Sequence, residues 1–234
     1  MLEIRGLTGG YGVVPAFGDI SIKVDQGETV ALLGSNGAGK TALLLTTVGV
    51  LKPVSGSILF EGADIAGMHT RDIVGRGVVM VPSSDRVFPE LTVEENLRVG
   101  CCSSTAKAER KALFDRVYKL FPRLHERKSQ VGSTLSGGER GMLAVGRGVM
   151  GNPKILLIDE PSQGLAPIMI RHLFAAIQVL KEHGFSILLA EQNARMALDV
   201  CDRAYVLRSG SVVLSGRAGD LRSNESIRKT YLGG

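Results

Sequence analysis

A glycine-rich octapeptide near the start of the chain has the residue types and spacing of a phosphate-binding loop. It runs from Gly34 to Thr41 and matches the pattern G-x-x-x-x-G-K-[ST], after an apolar run and before a helical one. Glycines let backbone N–H groups surround closely spaced negative charges, and a helix starting near Lys40 adds the positive end of its dipole. We therefore expect ATP binding; the alternative is a glycine-rich turn that binds nothing. The residues expected to contact ATP are Gly34, Ser35, Asn36, Gly37, Ala38, Gly39, Lys40, Thr41 and Ala42.

Two side chains of this loop suggest specific chemistry. The ammonium group of Lys40 can reach the outer phosphates, and the hydroxyl of Thr41 suits Mg²⁺, a hard ion that prefers oxygen ligands. Ala42 stands where many such loops have a second hydroxyl, so we expect one α-phosphate contact to be missing. The loop predicts ATP and Mg²⁺ as ligands, but it does not choose among kinases, GTPases and motor ATPases.

A pair of carboxylates ends a later apolar run at residues 155–158. We predict that this strand lies beside the strand before the phosphate loop, so that both acids reach the phosphates. Asp159 suits holding Mg²⁺, and Glu160 suits orienting and deprotonating the attacking water. A helix cap or a surface turn is the alternative for such acids. Beside a phosphate loop, the pair favours hydrolysis.

The elements that must position these residues follow an alternating pattern of buried strands and helices. Continuously apolar runs predict parallel strands with both faces covered, and short β-rich segments at 2–7, 20–24 and 57–60 predict an N-terminal antiparallel β-subdomain. The fold class is therefore α/β with a mainly parallel core sheet. The expected buried strands are 29–33, 78–81, 155–158 and 186–190, the expected helices are 40–48, 107–121, 143–150 and 168–183, and a hairpin is expected between 206–207 and 212–214.

Length and composition fit one domain over residues 1–234 with a helical subdomain inserted at 86–150. The chain is 44% hydrophobic and carries a net charge of +5 that is spread out, as on a solvated surface or one that meets phosphates or anionic lipid. Its three cysteines and four histidines show no metal-ligand spacing. No apolar run approaches the roughly 18 residues that span a bilayer, so we expect any membrane function to need a partner.

Residues 135–139 carry the strongest family signal. Ser136, two glycines and a helix start make a second anion site, although a plain helix cap with glycine neighbours is the alternative. Together with the phosphate loop and the acids, this motif resembles the signature of ABC ATPases, which are P-loop NTPases. The resemblance implies that the signature binds ATP held by an opposite subunit, in a head-to-tail dimer. The signature residues are Leu135, Ser136, Gly137, Gly138 and Glu139.

Other family positions can be placed on this sequence. Tyr11 resembles the aromatic residue that stacks on adenine, with a strand-edge tyrosine as the alternative. Ser83 stands where the family usually has a glutamine that touches Mg²⁺. Gln192 stands where many members have a histidine that grips the γ-phosphate, and glutamine can donate a hydrogen bond but carries no charge. The resemblance thus implies Glu160, Gln192 and Lys40 as catalytic residues, and Thr41, Asp159 and Ser83 as metal ligands.

Several stretches are most similar to the second ATPase subunit of branched-chain amino-acid importers. They lie at 34–41, 88–97, 120–124, 164–167 and 191–194, and glutamine at position 192 is itself typical of that subgroup. The resemblance implies membrane permease subunits, a second and different ATPase, and indirectly an extracytoplasmic substrate-binding protein. It also implies a peripheral location on the cytoplasmic face of the membrane. Closely similar systems carry urea or short amides, which keeps that substrate class open.

Two other functions compete with import. ABC ATPases that act on nucleic acid or ribosomes usually carry tandem ATPase domains, a coiled-coil insertion or zinc motifs, and since none is present we expect no nucleic-acid partner. Ser83 and Gln192 also suit a catalytically weak regulatory partner. Thr92 and Glu95 predict a capping box, and the apolar residues just before it could either dock a helix of a membrane partner or simply start a core helix.

Overall fold

A computed structural model describes residues 1–12, 14–83 and 87–223 of the chain, apart from the side chains of residues 104 and 105. Within these ranges the strands form a four-stranded sheet and a six-stranded sheet. The strands are β1 (Leu2–Gly9), β2 (Phe17–Val24), β3 (Thr29–Leu33), β4 (Pro53–Phe60), β5 (Ala63–Asp64), β6 (Val78–Val81), β7 (Ile155–Asp159), β8 (Ser186–Glu191), β9 (Arg203–Arg208) and β10 (Ser211–Arg217).

The six-stranded sheet has the order β10-β9-β3-β8-β7-β6. Strands β3, β6, β7, β8 and β9 run parallel, and β10 closes one edge as the antiparallel partner of β9, which confirms the predicted hairpin. Alternate residues of the central strands belong to two separate apolar clusters, with Ala31 and Leu33 in one and Val30 and Leu32 in the other. Both faces of the sheet are therefore covered, as continuously apolar strands require.

The predicted neighbour of β3 is wrong. The strand before the acidic pair, β7, pairs with β6 and β8, whereas β3 pairs with β8 and β9. An apolar run shows that a strand is buried on both faces, but it does not specify which strands flank it. Since adjacent strands are about 4.8 Å apart, β7 lies roughly 10 Å from β3, a distance that facing side chains can span.

The four-stranded sheet is antiparallel and has the order β2-β1-β4-β5 among the described residues. It confirms the N-terminal β-subdomain, although β1, β2 and β4 are longer than predicted. Register shifts interrupt the pairing of β1 with both neighbours around residues 4–9. At Gly56, with a φ of 90°, an added Cβ would lie 2.5 Å from the carbonyl oxygen of Gly6, so the strands can approach this closely only with glycine at position 56.

Most of the predicted helices are present, with shifted ends. The predicted helix over 107–121 is two helices, because Ser103 caps a short helix whose end falls at Ala108 and a second one begins at Arg110. The helix predicted at 143–150 begins six residues earlier, at Gly137. The helices are α1 (Lys40–Thr47), α2 (Thr70–Gly75), α3 (Val93–Gly100), α4 (Ser104–Ala108), α5 (Arg110–Leu120), α6 (Pro122–Glu126), α7 (Gly137–Val149), α8 (Pro167–Glu182), α9 (Ala194–Val200) and α10 (Ala218–Ser223).

Helices α3 to α7 form a helical insert between β6 and β7 in the chain. The predicted capping box is present at its start, where the Thr92 hydroxyl accepts from the Glu95 N–H and the Glu95 carboxylate accepts from the Thr92 N–H. The predicted start of this insert, residue 86, lies outside the described residues. In the described part of the chain, no helix has both the length and the apolar character needed to cross a bilayer.

Candidate active site

The phosphate loop connects the end of β3 to the start of α1. Gly39 is the N-cap of α1 and has a φ of 102°, a conformation that favours glycine. A Cβ at Gly39 would lie 2.8 Å from the carbonyl oxygen of Ala16, so glycine is also required for space. Gly37 has a φ of 79°, and a Cβ there would meet nothing within 4 Å. The loop is therefore packed against the body at Gly39 and open at Gly37, as a cradle for phosphates requires.

Lys40 folds back over its own loop. Its Nζ donates to the carbonyl oxygens of Gly34 at 2.7 Å and Ser35 at 3.0 Å, and forms an ion pair with Glu160 Oε1 at 2.9 Å. The lysine side chain is only 2% exposed and the glutamate side chain 11%. Because buried charges are stable only when paired, this contact neutralises two groups at the sheet end. A phosphate oxygen would enter by replacing the carboxylate as the partner of the ammonium group.

Three oxygen-bearing side chains meet beside this pair. The hydroxyl of Thr41 donates to Asp159 Oδ1 at 3.1 Å, and the Ser83 side chain also hydrogen-bonds to Asp159. Burial and the neighbouring Glu160 raise the pKa of Asp159, and the two hydroxyls oppose that rise. An all-oxygen set of this kind fits Mg²⁺. Among the described residues there is no group of three or more His, Cys, Asp or Glu for a metal. Mg²⁺ is usually held by one or two carboxylates together with waters and substrate phosphates, and the oxygens of this set suit such a site.

Glu160 has an unusual backbone. Its φ is 38°, in the left-handed region that residues other than glycine rarely adopt. Its N–H donates to the carbonyl oxygen of Ala190 at 2.9 Å, which attaches the loop after β7 to the end of β8. The backbone therefore directs the carboxylate toward Lys40, where it can also orient a water beside bound phosphate.

Gln192 follows β8 directly and is exposed. Because β8 lies between β3 and β7, this residue emerges between the phosphate loop and the acidic pair. The N–H of Gly34 donates to the carbonyl oxygen of Glu191 at 3.3 Å, so the last residue of β8 contacts the phosphate loop itself. Glu191 was not among the site residues predicted from the sequence. It could have been found by the pattern that identified Asp159, a carboxylate at the end of a buried apolar strand.

Tyr11 lies in the loop between β1 and β2. This loop closes with a hydrogen bond from Ala16 N–H to the Gly9 carbonyl at 2.8 Å, and the Ala16 carbonyl contacts the phosphate loop at Gly39. The tyrosine is 58% exposed, so a face of its ring is open to a flat partner such as adenine. The structure thus places Tyr11 on a loop that abuts the phosphate cradle.

The signature residues begin the helical insert's longest helix. Ser136 is the N-cap of α7, and its hydroxyl accepts from the Glu139 N–H at 3.3 Å while the Glu139 carboxylate accepts from the Ser136 N–H at 2.9 Å. Gly138 packs against Met169 of α8, and Leu135 is buried. Burial opposes ionisation of Glu139, but the bonds from Ser136 and the charge of Arg127, 2.7 Å away, outweigh it and lower the pKa of Glu139.

The structure brings the predicted phosphate-binding and metal-binding side chains together, but the signature residues lie apart from them. Hydrogen bonds or ion pairs connect Lys40 to Glu160 and connect Thr41 and Ser83 to Asp159. In the part of the chain that the structure describes, no hydrogen bond or ion pair joins the signature to the phosphate loop. The signature helix instead presents an exposed Ser136 at its N-terminus.

Comparison with known proteins agrees with this arrangement. A family model described as ABC transporter matches residues 17–163. The chain is 45% identical to the high-affinity branched-chain amino acid transport ATP-binding protein BraG of Pseudomonas aeruginosa, with 100% of both chains covered. It is 34% identical to the probable branched-chain amino acid transport ATP-binding protein LivF of Archaeoglobus fulgidus, covering 100% of this chain and 99% of that one. It is also 32% identical to the lipopolysaccharide export system ATP-binding protein LptB of Haemophilus influenzae, covering 100% and 97%.

Solved structures give the same result for the fold. An ATP-binding cassette of an ABC transporter in its ADP conformation superposes with a TM-score of 0.85 at 27% identity, covering 100% of this chain and 99% of the other. A nucleotide-free cassette of an ABC transporter gives 0.84 at 25% identity with the same coverage. The family match spans more than half of the chain and the relatives span all of it. This chain therefore belongs to the ABC transporter family, as one of its ATP-hydrolysing ATP-binding subunits.

Proposed function

We propose that this chain hydrolyses ATP to power the import of branched-chain or other amino acids through a separate membrane permease. The observation that carries the substrate class is the 45% identity to BraG over the full length of both chains. Identity to LptB, named for lipopolysaccharide export, is lower at 32%. Import as the direction is supported by resemblance to the importer subgroup in the stretches around Phe88 and Gln192.

The nucleotide half-site is built on the phosphate loop. Backbone N–H groups of residues 34–42 hold the phosphates, and Tyr11 stacks on the adenine ring. Lys40 exchanges its contact with Glu160 for the outer phosphate oxygens. Because a phosphate replaces the Glu160 carboxylate as the anion beside Lys40, the ammonium group is paired with a negative charge before and after binding.

The metal half of the site uses the oxygen cluster. Thr41 and Asp159 hold Mg²⁺ directly or through water, and the short Ser83 hydroxyl reaches it through water. Bound Mg²⁺ supplies positive charge that offsets the charge on the phosphate oxygens. The hydrogen bonds that now join Thr41 and Ser83 to Asp159 keep these three oxygens together before the ion arrives.

Hydrolysis falls to Glu160 and Gln192. Once Lys40 has moved to phosphate, the Glu160 carboxylate orients the attacking water and accepts its proton. Gln192 donates a hydrogen bond from its amide toward the γ-phosphate, without adding charge. The left-handed backbone of Glu160 keeps its carboxylate at the end of the core sheet, beside Lys40 and the phosphate loop.

A second ATPase subunit completes the site. The helix start at Ser136 has its N–H groups and hydroxyl at an exposed position, which suits ATP held by another chain in a head-to-tail dimer. The other signature residues hold that serine at the helix start; they are Leu135, Gly137, Gly138 and Glu139. Paired ATPases of different sequence are usual in the resembled subgroup, so we infer a heterodimer in the working complex.

A groove between the core sheet and the helical insert suits the permease. It measures about 270 Å³, and Phe88 and Val99 expose apolar surface on it. The guanidinium of Arg147 lies 5.1 Å from the Phe88 ring centroid, and its Nη1 is buried without a hydrogen-bond partner among the described residues. An apolar segment of the permease with an acidic group would satisfy both features. The extracytoplasmic binding protein would act through that permease, with this chain on the cytoplasmic face.

Two alternatives remain within the family. A urea or short-amide importer would use the same ATPase chemistry, since substrate choice lies in other subunits. A catalytically weak regulatory subunit is motivated by Ser83 and Gln192, which replace a longer amide and a histidine of the general family pattern. Glu160 and Lys40, paired at 2.9 Å beside the phosphate loop, favour hydrolysis.

The test is reconstitution with the permease that co-purifies with this chain in detergent. ATPase activity in proteoliposomes should rise with leucine, isoleucine or valine and their binding protein, and Glu160→Gln should abolish turnover while ATP still binds and traps a closed dimer. Stimulation by urea or short amides alone would select the first alternative. Turnover that is insensitive to Glu160→Gln would favour the regulatory one, and recovery of only ribosomes or DNA would contradict the transporter assignment.

A further inference from the structure

A fully buried carboxylate at the end of β8 has no part in the chemistry described so far. Glu191 is 1% exposed and lies directly before Gln192. Removing a carboxylate from water is unfavourable unless hydrogen bonds replace those of the solvent. The position of this group therefore depends on the donors around it.

Four donors from described residues point at this carboxylate. Oε1 accepts from the Ser162 N–H at 3.0 Å, and Oε2 accepts from the Ser162 hydroxyl at 2.9 Å, the Gln192 N–H at 3.0 Å and the Asn193 N–H at 3.1 Å. An ionised carboxylate accepts from all four donors; burial raises the pKa of Glu191, and these hydrogen bonds oppose that rise. Glu191 thereby joins the loop after β7 to the loop after β8.

Both of those loops carry proposed catalytic residues. Ser162 is two residues after Glu160, and the Gln163 N–H donates to the Glu160 carbonyl at 3.1 Å, so Glu160 and Ser162 belong to one tight turn. The turn is also attached to β8 through the bond from Glu160 N–H to the Ala190 carbonyl. A residue in the left-handed region, such as Glu160, keeps that conformation only where its surroundings fix it.

We propose that Glu191 is a positioning residue, whose carboxylate fixes the turn that carries Glu160 to the loop that carries Gln192. The inference rests on the proposed function, since it names a further residue for the same hydrolysis. The clamp holds Glu160 and Gln192 at a constant separation. Nucleotide binding rests on the phosphate loop and Tyr11, and the bond from Gly34 N–H goes to the backbone carbonyl of Glu191 and not to its carboxylate. Loss of the carboxylate should therefore slow turnover more than it weakens nucleotide binding.

The central variant is Glu191→Gln. It keeps the size of the side chain but replaces one acceptor oxygen with an NH₂ group, which cannot accept a hydrogen bond from the surrounding N–H and O–H donors. In the full chain co-purified with its permease, we expect kcat for ATP to fall by about tenfold or more, because small displacements of reacting groups are costly. Binding of a fluorescent ATP analogue with Mg²⁺ should change by no more than about twofold, well under the factor of ten that 1.4 kcal/mol represents.

Two comparisons separate positioning from a merely structural task. Glu28→Gln is the matched control, because it removes a half-buried carboxylate that is paired with Arg203. Glu28 lies just before β3, at the opposite end of the sheet from the phosphate loop. This variant should lower the melting temperature without changing kcat. Ser162→Ala should reduce kcat, Ser162→Thr should restore it, and the double variant Ser162→Ala with Glu191→Gln should be no worse than Glu191→Gln alone. Ser162→Ala keeps the test available if Glu191→Gln does not fold.

Unchanged kcat in Glu191→Gln, a parallel loss of nucleotide affinity, or fully additive effects with Ser162→Ala would each overturn the clamp. A wild-type complex that shows no turnover would overturn the proposed function itself, and the clamp with it. The wild-type assay is therefore read first, which distinguishes the two failures.

Discussion

Lys40 Nζ lies 2.9 Å from Glu160 Oε1, although the two residues come from different loops on strands that are not neighbours. The cation that we propose to bind phosphate and the carboxylate that we propose to activate water are thus partners of one another. Each is buried, and each offsets the charge of the other. In the proposed function, binding of ATP is then an exchange of partners at Lys40, in which a phosphate oxygen replaces the carboxylate.

Replacing Lys40 with alanine should weaken ATP binding strongly. A hydrogen bond to a charged group contributes roughly 1.5–3 kcal/mol, which corresponds to at least about a tenfold loss of affinity. Titration calorimetry with ATP and Mg²⁺ measures it, and the exposed Lys52→Ala is the matched control. An affinity unchanged from the wild type would contradict the phosphate-loop assignment.

Removing the Thr41 hydroxyl should change the dependence on Mg²⁺. Thr41→Val keeps the shape of the side chain but loses one oxygen of the cluster around Asp159, so the Mg²⁺ concentration for half-maximal ATP binding should rise by about tenfold. Thr47→Val is the control on the same helix, since its buried hydroxyl donates to the Leu43 carbonyl and lies outside the oxygen cluster around Asp159. Equal Mg²⁺ dependence in the two variants would remove Thr41 from the metal site.

The capping box at the start of α3 should contribute to stability alone. Thr92→Ala removes the hydroxyl that accepts from the Glu95 N–H, a loss of about 1 kcal/mol in the free energy of unfolding. For a chain of this length that lowers the melting temperature by roughly 2–4 °C. Thr92→Ser keeps the cap and should melt with the wild type. If both variants melt alike, the cap does not stabilise this helix.

The three thiols should differ sharply in reactivity. Burial raises the pKa of Cys201 to about 12 and also raises the pKa of Cys101, whereas Cys102 is exposed. At pH 8, four units below its pKa, only about one Cys201 in ten thousand is a thiolate, the reactive form. A disulfide reagent should therefore label one thiol rapidly in the native chain and three after denaturation. Cys102→Ser should abolish the rapid phase; its persistence would place a second accessible thiol elsewhere.

Much of the fold could be predicted because its signals are local. Strands β3 and β6 occur with the predicted bounds, since unbroken apolar runs leave little choice for a buried strand. The order of the strands could not be predicted, because pairing of β8 between β3 and β7 depends on how α8 crosses the sheet. Helices such as α9, seven residues long, give too few periodic positions for a pattern, and the glycines of α7 concealed its first turns.

The candidate site was also predictable where its signals are local and not where it depends on contacts between distant parts of the chain. The phosphate loop and the acidic pair were predicted from spacing, and their meeting at Lys40 and Glu160 followed although the predicted strand neighbour was wrong. The hydrogen bond of Ser83 to Asp159 could not be predicted, because it depends on where β6 ends relative to β7. Glu191 was missed because two of its four donors come from Ser162, twenty-nine positions earlier in the chain.

The left-handed backbone of Glu160 is a local cost that the ion pair with Lys40 offsets. A residue other than glycine in that conformation costs roughly 1–2 kcal/mol. Asparagine tolerates the conformation better, but it would leave the buried ammonium group of Lys40 without a counter-charge, a loss of about 3–5 kcal/mol. Directed evolution that selects this chain only for heat tolerance should consequently retain glutamate at position 160, and the thermostable clones so obtained should still consume ATP.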